Sequence, residues 1–240
     1  MHLTDMDLQQ LLQKGGVHCD ACGHAHHCDV EEVLLGSGVA SRTAEVLARH
    51  GIHYPFVVCD ENTRRVAMAQ VEASLKAADM PYVVCSLGEG HIEPDEAAVG
   101  ALTMAFQPCC DGILAVGSGV INDCCKVLAH TAGCRSVVVG TAPSMDGYAS
   151  NSSSMIQNRI KVSLYNACPA AIVADTDIIR LAPMRMLQAG LGDMLAKYVA
   201  LCEWRISHLV TDEYYCADIA ALMRKALARI VAVAPKLKDR

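Results

Sequence analysis

Short apolar runs alternate with helical segments along the first 180 residues of the chain. Six runs are too short and too tightly bounded to be helices, and we interpret them as buried strands: 33–35, 56–59, 82–86, 113–116, 136–139 and 172–174. Four segments between them favour helices: 41–50, 64–78, 95–106 and 120–131. Ser41 is the predicted cap of the first of these helices. This repetition predicts a Rossmann-like α/β fold, with helices covering both faces of a parallel sheet.

The pattern changes after Asp177. Before that point, residues 156–164 predict a hairpin that carries Arg159 and Lys161. From Pro183 onward nearly every residue favours a helix, with no further strand signal. We therefore predict a nucleotide-binding α/β domain over 1–179 and the start of an all-α domain over 180–240, which we expect to be truncated.

A glycine turn, Gly117-Ser118-Gly119, joins the strand at 113–116 to the helix at 120–131. Such a turn directs unpaired backbone N–H groups and the positive end of a helix dipole toward one point, where a phosphate can bind. The next strand ends in a second polar loop, and both loops are expected to face one crevice. The spacing matches the usual dinucleotide fingerprint only weakly, so a purely structural turn is the alternative.

Asp60 directly follows the predicted strand at 56–59. A carboxylate in this position accepts hydrogen bonds from an adenosine ribose and repels a 2′-phosphate, which favours NAD over NADP. The alternative interpretation is that Asp60 only caps the helix that follows.

Asp193 and Lys197 lie four residues apart in the segment AGLGDMLAK and so share one face of a helix. Gly190 and Gly192 each cost about 1 kcal/mol in a helix relative to alanine, which calls for a reason such as close approach of a ligand. One interpretation is a surface ion pair. The other makes Asp193 a metal ligand that faces the cleft.

Soft metal ligands are concentrated in the segment HCDACGHAHHC, residues 18–28. The candidate ligands are Cys19, Cys22, His24, His26, His27 and Cys28. A C-x-x-C pair followed by histidines is compatible with zinc, but the spacing of a finger or ribbon is absent. A polar hairpin with incidental thiols is therefore the alternative.

Composition narrows the class of protein. The 240 residues have a net charge of -6, which argues against binding to nucleic acid or to an anionic membrane. No apolar run is long enough to span a membrane, and the first residues do not resemble a signal peptide. Thirteen cysteines are then expected to be reduced thiols in a cytoplasmic protein.

Four motifs in register carry a family resemblance: VGSGVIND, VGTAPSMDGYASNSSSMI, ACPAAIVADTDII and AGLGDMLAKYVA. Together they resemble the superfamily of iron-containing alcohol dehydrogenases, glycerol dehydrogenases and dehydroquinate synthases, and most of all its bacterial sn-glycerol-1-phosphate dehydrogenase branch. The resemblance implies reversible reduction of dihydroxyacetone phosphate by NAD(H) or NADP(H), with nickel or zinc as the divalent metal. A metal ion would polarise the ketone oxygen.

The resemblance also assigns residues to roles. The residues implied to hold the cofactor pyrophosphate are Gly117, Ser118, Gly119, Val120 and Ile121. Asp60 is implied to meet the adenosine ribose, and Thr141, Ser144 and Ser150 to line the nicotinamide side. Asp146 is implied to bind substrate, Asp193 to bind metal and substrate, and Lys197 to act with it in catalysis. The substrate phosphate requires a cation, for which Lys161 and Lys197 are both candidates.

One feature departs from the family. Its members complete the metal site with two histidines further along the helical domain, and we expect these ligands beyond Arg240. We therefore expect the 240-residue chain alone to be inactive. The alternatives are a polyol oxidoreductase like glycerol dehydrogenase and a nucleotide-binding fragment without turnover. Apolar residues left exposed by absent helices predict a homo-oligomer, and the expected binding partner is a small phosphate ester.

Overall fold

The computed structural model describes residues 3–13 and 15–239. The strands are β1 Val17–His18, β2 Ala25–His26, β3 Glu32–Gly36, β4 Pro55–Cys59, β5 Val83–Ser86, β6 Gly112–Gly117, β7 Arg135–Gly140, β8 Ser152–Gln157, β9 Ile160–Tyr165 and β10 Ala171–Asp175. The helices are α1 Leu8–Leu11, α2 Thr43–Arg49, α3 Glu61–Thr63, α4 Ala69–Ala77, α5 Glu96–Ala105, α6 Gly119–Ala132, α7 Thr176–Ile179, α8 Met184–Thr211 and α9 Ala217–Val233. A π-helical turn at Arg64–Met68 precedes α4, and 3-10 turns occur at Leu3–Asp5, Val39–Arg42, Gly147–Ala149 and Ala234–Asp239.

Six strands form a parallel sheet in the order β3-β10-β7-β6-β4-β5. Successive residues of the central strands enter different cores: Phe56 and Ile113 face one side, whereas Val57 and Leu114 face the other. Since both faces are covered, the central strands β4, β6 and β7 are apolar along most of their length. This confirms the predicted Rossmann-like α/β fold. Strands β8 and β9 form the predicted antiparallel hairpin, apart from the main sheet.

The helix after β3 differs from the sequence prediction. Helix α2 begins at Thr43, and Ser41 lies in a 3-10 turn, where its Oγ donates to the Gly38 carbonyl at 2.6 Å. The predicted Ser41 cap is therefore wrong. The buried carboxylate of Asp175, at the end of β10, accepts from the Ala40 N–H at 2.8 Å. An acceptor from a neighbouring strand thus holds this turn, and nothing in the local sequence indicates it.

Helices α8 and α9 pack together through Leu201, Ala220 and Leu227. The amino-terminal segment joins them, because Leu3 and Val17 form a small core with residues of the helical part. The predicted domain boundary between residues 179 and 180 stays a prediction, although some of the first residues pack against the predicted all-α domain. Within the described ranges, none of the helices combines the length and the apolar character that crossing a membrane requires.

Helix α8 makes its closest approach to the sheet at Gly190, which is buried. A Cβ atom on Gly190 would lie 1.9 Å from the Pro143 carbonyl oxygen, in the loop after β7. The expectation that a ligand explains this glycine is therefore wrong, since the neighbouring group is backbone. Gly192 differs, because a Cβ there would have no neighbour within 4 Å in the described structure.

These two glycines provide a matched test of helix docking. Gly190→Ala should lower the free energy of unfolding by about 1–3 kcal/mol, because the helix must move away from Pro143. Gly192→Ala should raise it by up to about 1 kcal/mol, because alanine is the better helix former. Urea unfolding of both variants measures the difference. Equal stability of the two would contradict the backbone contact.

Candidate functional site

The glycine turn lies at the carboxyl ends of two paired strands. Gly117 ends β6 and is paired with Gly140, the last residue of β7. Helix α6 begins directly afterwards at Gly119, and the Ser118 side chain makes no capping hydrogen bond. The first amides of a helix have no partner within it. The turn therefore offers backbone donors at a helix amino terminus, as predicted for a phosphate site.

The two glycines of the turn, Gly117 and Gly119, occupy their positions for different physical reasons. A Cβ on Gly117 would lie 2.5 Å from the Cβ of Ile121, so this glycine makes room for a core side chain. The Gly117 carbonyl accepts from the Thr141 N–H at 3.1 Å, which ties the turn to the next strand. A Cβ on Gly119 would approach only Met145, at 3.8 Å. Gly119 is thus the position where the turn stays open toward the cleft.

Two cavities lie beside this turn. The larger, about 660 Å³, is the cavity that we call the cleft. It is lined by the following predicted site residues: Gly119, Asp146, Ser150, Lys161, Asp193 and Lys197. The smaller, about 330 Å³, is lined by Asp60, Ser118 and Thr141. The structure therefore brings nine residues named from the sequence to two neighbouring cavities.

Four predicted cofactor residues line neither cavity. Gly117 and Ser144 are two of them. Ile121 is buried and Val120 packs against the same core, so the side chains of these two residues belong to the core.

Lys197 lies between two carboxylates in the larger cavity. Its Nζ is 3.0 Å from Asp146 Oδ2 and 3.4 Å from Asp193 Oδ1. The Asp146 backbone N–H donates to Asp193 Oδ2 at 2.9 Å. This confirms that Asp193 and Lys197 share a helical face, and it places that face toward the cleft rather than toward open solvent.

These contacts change the ionisation of the cluster. Partial burial raises the pKa of the Asp193 carboxyl, but the Asp146 N–H and the Lys197 ammonium outweigh burial and set this pKa below its usual value. Burial likewise lowers the pKa of Lys197, but the two carboxylates outweigh it and raise this pKa. Asp193 and Lys197 therefore both stay charged at neutral pH, and Lys197 lines the cleft as an ammonium group.

Asp60 caps the helix that follows β4. Its Oδ1 accepts from the Thr63 N–H at 2.7 Å, and Thr63 Oγ1 accepts from the Asp60 N–H at 3.0 Å. The capping interpretation of Asp60 is therefore confirmed. Because Asp60 also lines the smaller cavity, its contact with a ribose stays a prediction.

With this geometry in view, comparison with known proteins identifies the family. A model described as iron-containing alcohol dehydrogenase matches residues 34–183. The chain belongs to the iron-containing alcohol dehydrogenase family. It is similar to the glycerol-1-phosphate dehydrogenase [NAD(P)+] of Halalkalibacterium halodurans, with 32% identity over 86% of this chain and 53% of that protein. The same enzyme of Pyrococcus furiosus is 34% identical over 80% of this chain and 54% of its own length.

The chain spans about half the length of these relatives, 53% and 54%. Among solved structures, a probable glycerol dehydrogenase from Sinorhizobium meliloti 1021 is similar, with a TM-score of 0.73 and 21% identity. The similarity covers 87% of this chain and 58% of that one. At this identity the structural likeness supports the fold of the family.

The family name implies a metal ion, and the cleft can be tested for its ligands. None of the described residues that line the cleft is a histidine or a cysteine. Its carboxylates belong to Asp123, which pairs with Lys126, and to Asp146 and Asp193, which share Lys197. A catalytic metal usually has three protein ligands, often histidines. The described residues do not form such a set, so we derive no catalytic step through a metal.

Lys126 is a residue of this site that the sequence analysis missed. Its side chain is 1% exposed, and its Nζ lies 3.0 Å from Asp123 Oδ1. The same Nζ donates to three carbonyls on the loop beside the cleft, those of Gly147, Ser150 and Ser152. One buried ammonium therefore holds this loop against α6. The available signal was an Asp-x-x-Lys pair on a helix whose other inward positions, apart from Asn122, are apolar.

Replacing Lys126 should loosen the wall of the cleft. Lys126→Met should lower the free energy of unfolding by about 3 kcal/mol, because it leaves Asp123 and three carbonyls without their buried partner. Lys76→Met is the control, since Lys76 forms an exposed pair with Glu72, and its stability should change little. Thermal and urea unfolding check both variants. A Lys126 variant as stable as the control would remove the proposed role of the ammonium.

Proposed function

We propose that the protein is an NAD(P)H-dependent oxidoreductase that reversibly reduces dihydroxyacetone phosphate to sn-glycerol 1-phosphate. The observation that carries this proposal is the cleft in which the open turn at Gly119 faces the cluster of Asp146, Asp193 and Lys197. The names of the relatives, glycerol-1-phosphate dehydrogenase [NAD(P)+], support both the substrate and the cofactor.

The cofactor lies across the glycine turn in this proposal. Its pyrophosphate accepts hydrogen bonds from the first amides of α6 and is favoured by the dipole of that 14-residue helix. The adenosine extends toward Asp60, and the nicotinamide lies near Thr141 and Ser150. Asp60 and Ser150 line different cavities beside Ser118 and Gly119, which supports this orientation. Thr141 lines the same cavity as Asp60, so its place on the nicotinamide side rests on the family resemblance alone.

The reaction transfers a hydride from NAD(P)H to the ketone carbon, and the ketone oxygen takes up a proton to become a secondary alcohol. NAD(P)⁺ is the other product, so electrons and protons balance. The Lys197 ammonium stabilises negative charge as it develops on the ketone oxygen. Asp146 accepts a hydrogen bond from a substrate hydroxyl. Asp193 is also our candidate for one ligand of a divalent metal, either nickel or zinc, although the described lining of the cleft does not complete the usual set of three ligands.

Lys161 is the better of the two candidate partners for the substrate phosphate. Lys197 already lies between two carboxylates, whereas Lys161 forms no ion pair with any residue in the described part of the chain. Its side chain lines the same cavity from β9. An unpaired ammonium at the edge of the cleft is suited to a dianionic phosphate.

The cysteines and the exposed apolar residues support a proposal for the location and the assembly of the protein. All thirteen cysteines are free in the structure, which supports a reducing compartment and hence the cytoplasm. Helix α8 exposes Val199, Leu209 and Val210, each at least 60% accessible. Self-association into a homo-oligomer would cover such apolar side chains.

Cofactor binding can be tested at Gly119 without disturbing the core. Gly119→Val should weaken NADH binding at least about tenfold, because the branched side chain occupies the approach to the α6 amides. The matched control is Gly100→Val in α5, since a Cβ at Gly100 also has open space in the described structure. NADH fluorescence titration gives the affinity, and thermal unfolding verifies that both variants fold. Unchanged NADH affinity in Gly119→Val would reject the cofactor position.

Substrate choice can be tested by following NADH oxidation with added nickel or zinc. We expect the 240 residues alone to be inactive, so the assay uses a chain extended to the length of the relatives. That chain should turn over dihydroxyacetone phosphate in preference to dihydroxyacetone. Lys161→Met should raise KM for the phosphate ester roughly tenfold, because one charge-assisted hydrogen bond to the phosphate is lost. NADH affinity should be unchanged, and Lys76→Met is the control. Equal rates with both ketones would instead favour a polyol oxidoreductase like glycerol dehydrogenase.

A second candidate function is nucleotide binding without turnover. It is favoured by the cleft residues themselves, because the described lining has carboxylates but neither histidine nor cysteine. The distinguishing result is NADH binding at Gly119 with no oxidation of NADH under nickel, zinc or iron in the chain extended to the length of the relatives.

A further inference from the structure

Three cysteines and one histidine meet outside the cleft. Cys19 and Cys22 belong to the turn that follows β1, His26 lies on β2, and Cys216 directly precedes α9. Their four potential ligand atoms all lie within 4.8 Å of one another. Cys19 Sγ is 3.6 Å from Cys216 Sγ, across 197 residues of sequence, and Cys22 Sγ is 3.3 Å from His26 Nε2.

We propose that Cys19, Cys22, His26 and Cys216 bind a structural zinc ion that fastens the amino-terminal hairpin to the helical part of the chain. Zinc binds thiolate sulfur at about 2.3 Å and imidazole nitrogen at about 2.0 Å. In a tetrahedron these lengths separate two sulfurs by about 3.8 Å and a sulfur from a nitrogen by about 3.5 Å. The two separations given above are close to these values, and none of the six separations among the four ligand atoms exceeds 4.8 Å. The four side chains therefore need to approach one another by about 1 Å or less to bind the ion.

The local backbone already holds the first three ligands together. The Gly23 N–H donates to the Cys19 carbonyl and the Cys19 N–H donates to the His24 carbonyl, both at 2.9 Å. Gly23 has a φ of 73°, a left-handed conformation that suits glycine and closes the C-x-x-C turn. The hairpin strands have only two residues each. So short a hairpin is marginal in water without a further constraint, which zinc would supply.

Residues around the cluster are suited to stabilise thiolates. The Tyr214 hydroxyl donates to Cys22 Sγ at 3.1 Å. Cys216 is the residue at the amino-terminal cap of the 17-residue helix α9, whose dipole favours a negative sulfur. The His24 ring meets the Tyr214 ring edge to face, with centroids 5.0 Å apart. Outer contacts of this kind orient the ligands of a metal site.

The donor set indicates zinc and a structural role. Thiolates and imidazole are soft or intermediate ligands, which zinc prefers and magnesium or calcium do not. Four protein ligands complete a tetrahedron and leave no position for substrate. Binding converts the three thiols to thiolates and releases their protons to solvent, with no change of oxidation state. The site is therefore separate from the cleft chemistry.

The ligands that the structure brings together differ from the candidate ligands named from the sequence. His27 and Cys28 are not members, and the His24 ring lies beside Tyr214 with Nδ1 2.9 Å from the Cys22 carbonyl oxygen. The fourth ligand is Cys216, far along the chain. Local spacing indicated a metal segment but gave no means of finding its last ligand.

The experiment measures zinc in the purified protein by plasma mass spectrometry, with Cys28→Ser as the matched control because Cys28 is an exposed cysteine of the same segment. We expect one zinc per chain that Cys28→Ser retains and Cys216→Ser loses. Asp193→Asn should retain it, which separates this ion from any metal in the cleft. Tyr214→Phe should weaken zinc affinity by about tenfold or more. Chelation should lower the melting temperature of the wild-type chain and of Cys28→Ser.

A Cys216→Ser chain that fails to fold leaves two readouts on the wild-type protein. Thiol modification by a mercurial should release zinc to a colorimetric indicator, and cobalt replacement should produce the sulfur-to-metal absorption of a tetrahedral thiolate site. The proposal is overturned by wild-type protein without zinc after expression in zinc-supplemented medium. It is equally overturned by zinc that Cys216→Ser retains, or by a Cys19–Cys216 disulfide found by mass spectrometry in protein kept under reductant.

Discussion

The docking of α8 onto the loop after β7 is the contact on which the cleft depends. The helix comes so close at Gly190 that it meets the backbone of Pro143, and no side chain intervenes. One turn further along, Asp193 accepts the Asp146 N–H and Lys197 meets both carboxylates. A backbone contact between the two parts of the chain therefore brings the acidic loop and the charged helix into one cavity.

The opposite wall of the cavity depends on burial of a charge. The Lys126 side chain is almost completely buried, which costs free energy of desolvation. Its contacts with Asp123 and three loop carbonyls offset that cost. The same helix presents its amino terminus at Gly119. One helix thus supplies both the donors proposed for a phosphate and the anchor of the loop beside them, which links cofactor binding to the shape of the substrate side.

The cysteine cluster and the cleft divide the chemistry of this chain between them. The described cleft contains carboxylates and lysines, and the lysines suit the phosphate of the substrate that we propose. The cluster contains thiols and an imidazole and joins the first hairpin to the start of α9. Trp204 of α8 packs with both of the small cores on this side, so a constraint at Cys216 also bears on the helix that carries Asp193.

The pattern of apolar residues was sufficient to predict the six strands of the parallel sheet, the main helices and the glycine turn. Buried parallel strands form short apolar runs, whereas apolar residues in a helix recur every three to four positions. The four motifs in register were sufficient to indicate the family. What depended on tertiary structure were contacts between residues remote in sequence: Asp175 on the turn at Ala40, Pro143 on Gly190, Lys126 on its loop and Cys216 on the hairpin. These partners are set by how the sheet and helices pack in space. Apart from the Asp-x-x-Lys pair at Lys126, the local sequence does not indicate them.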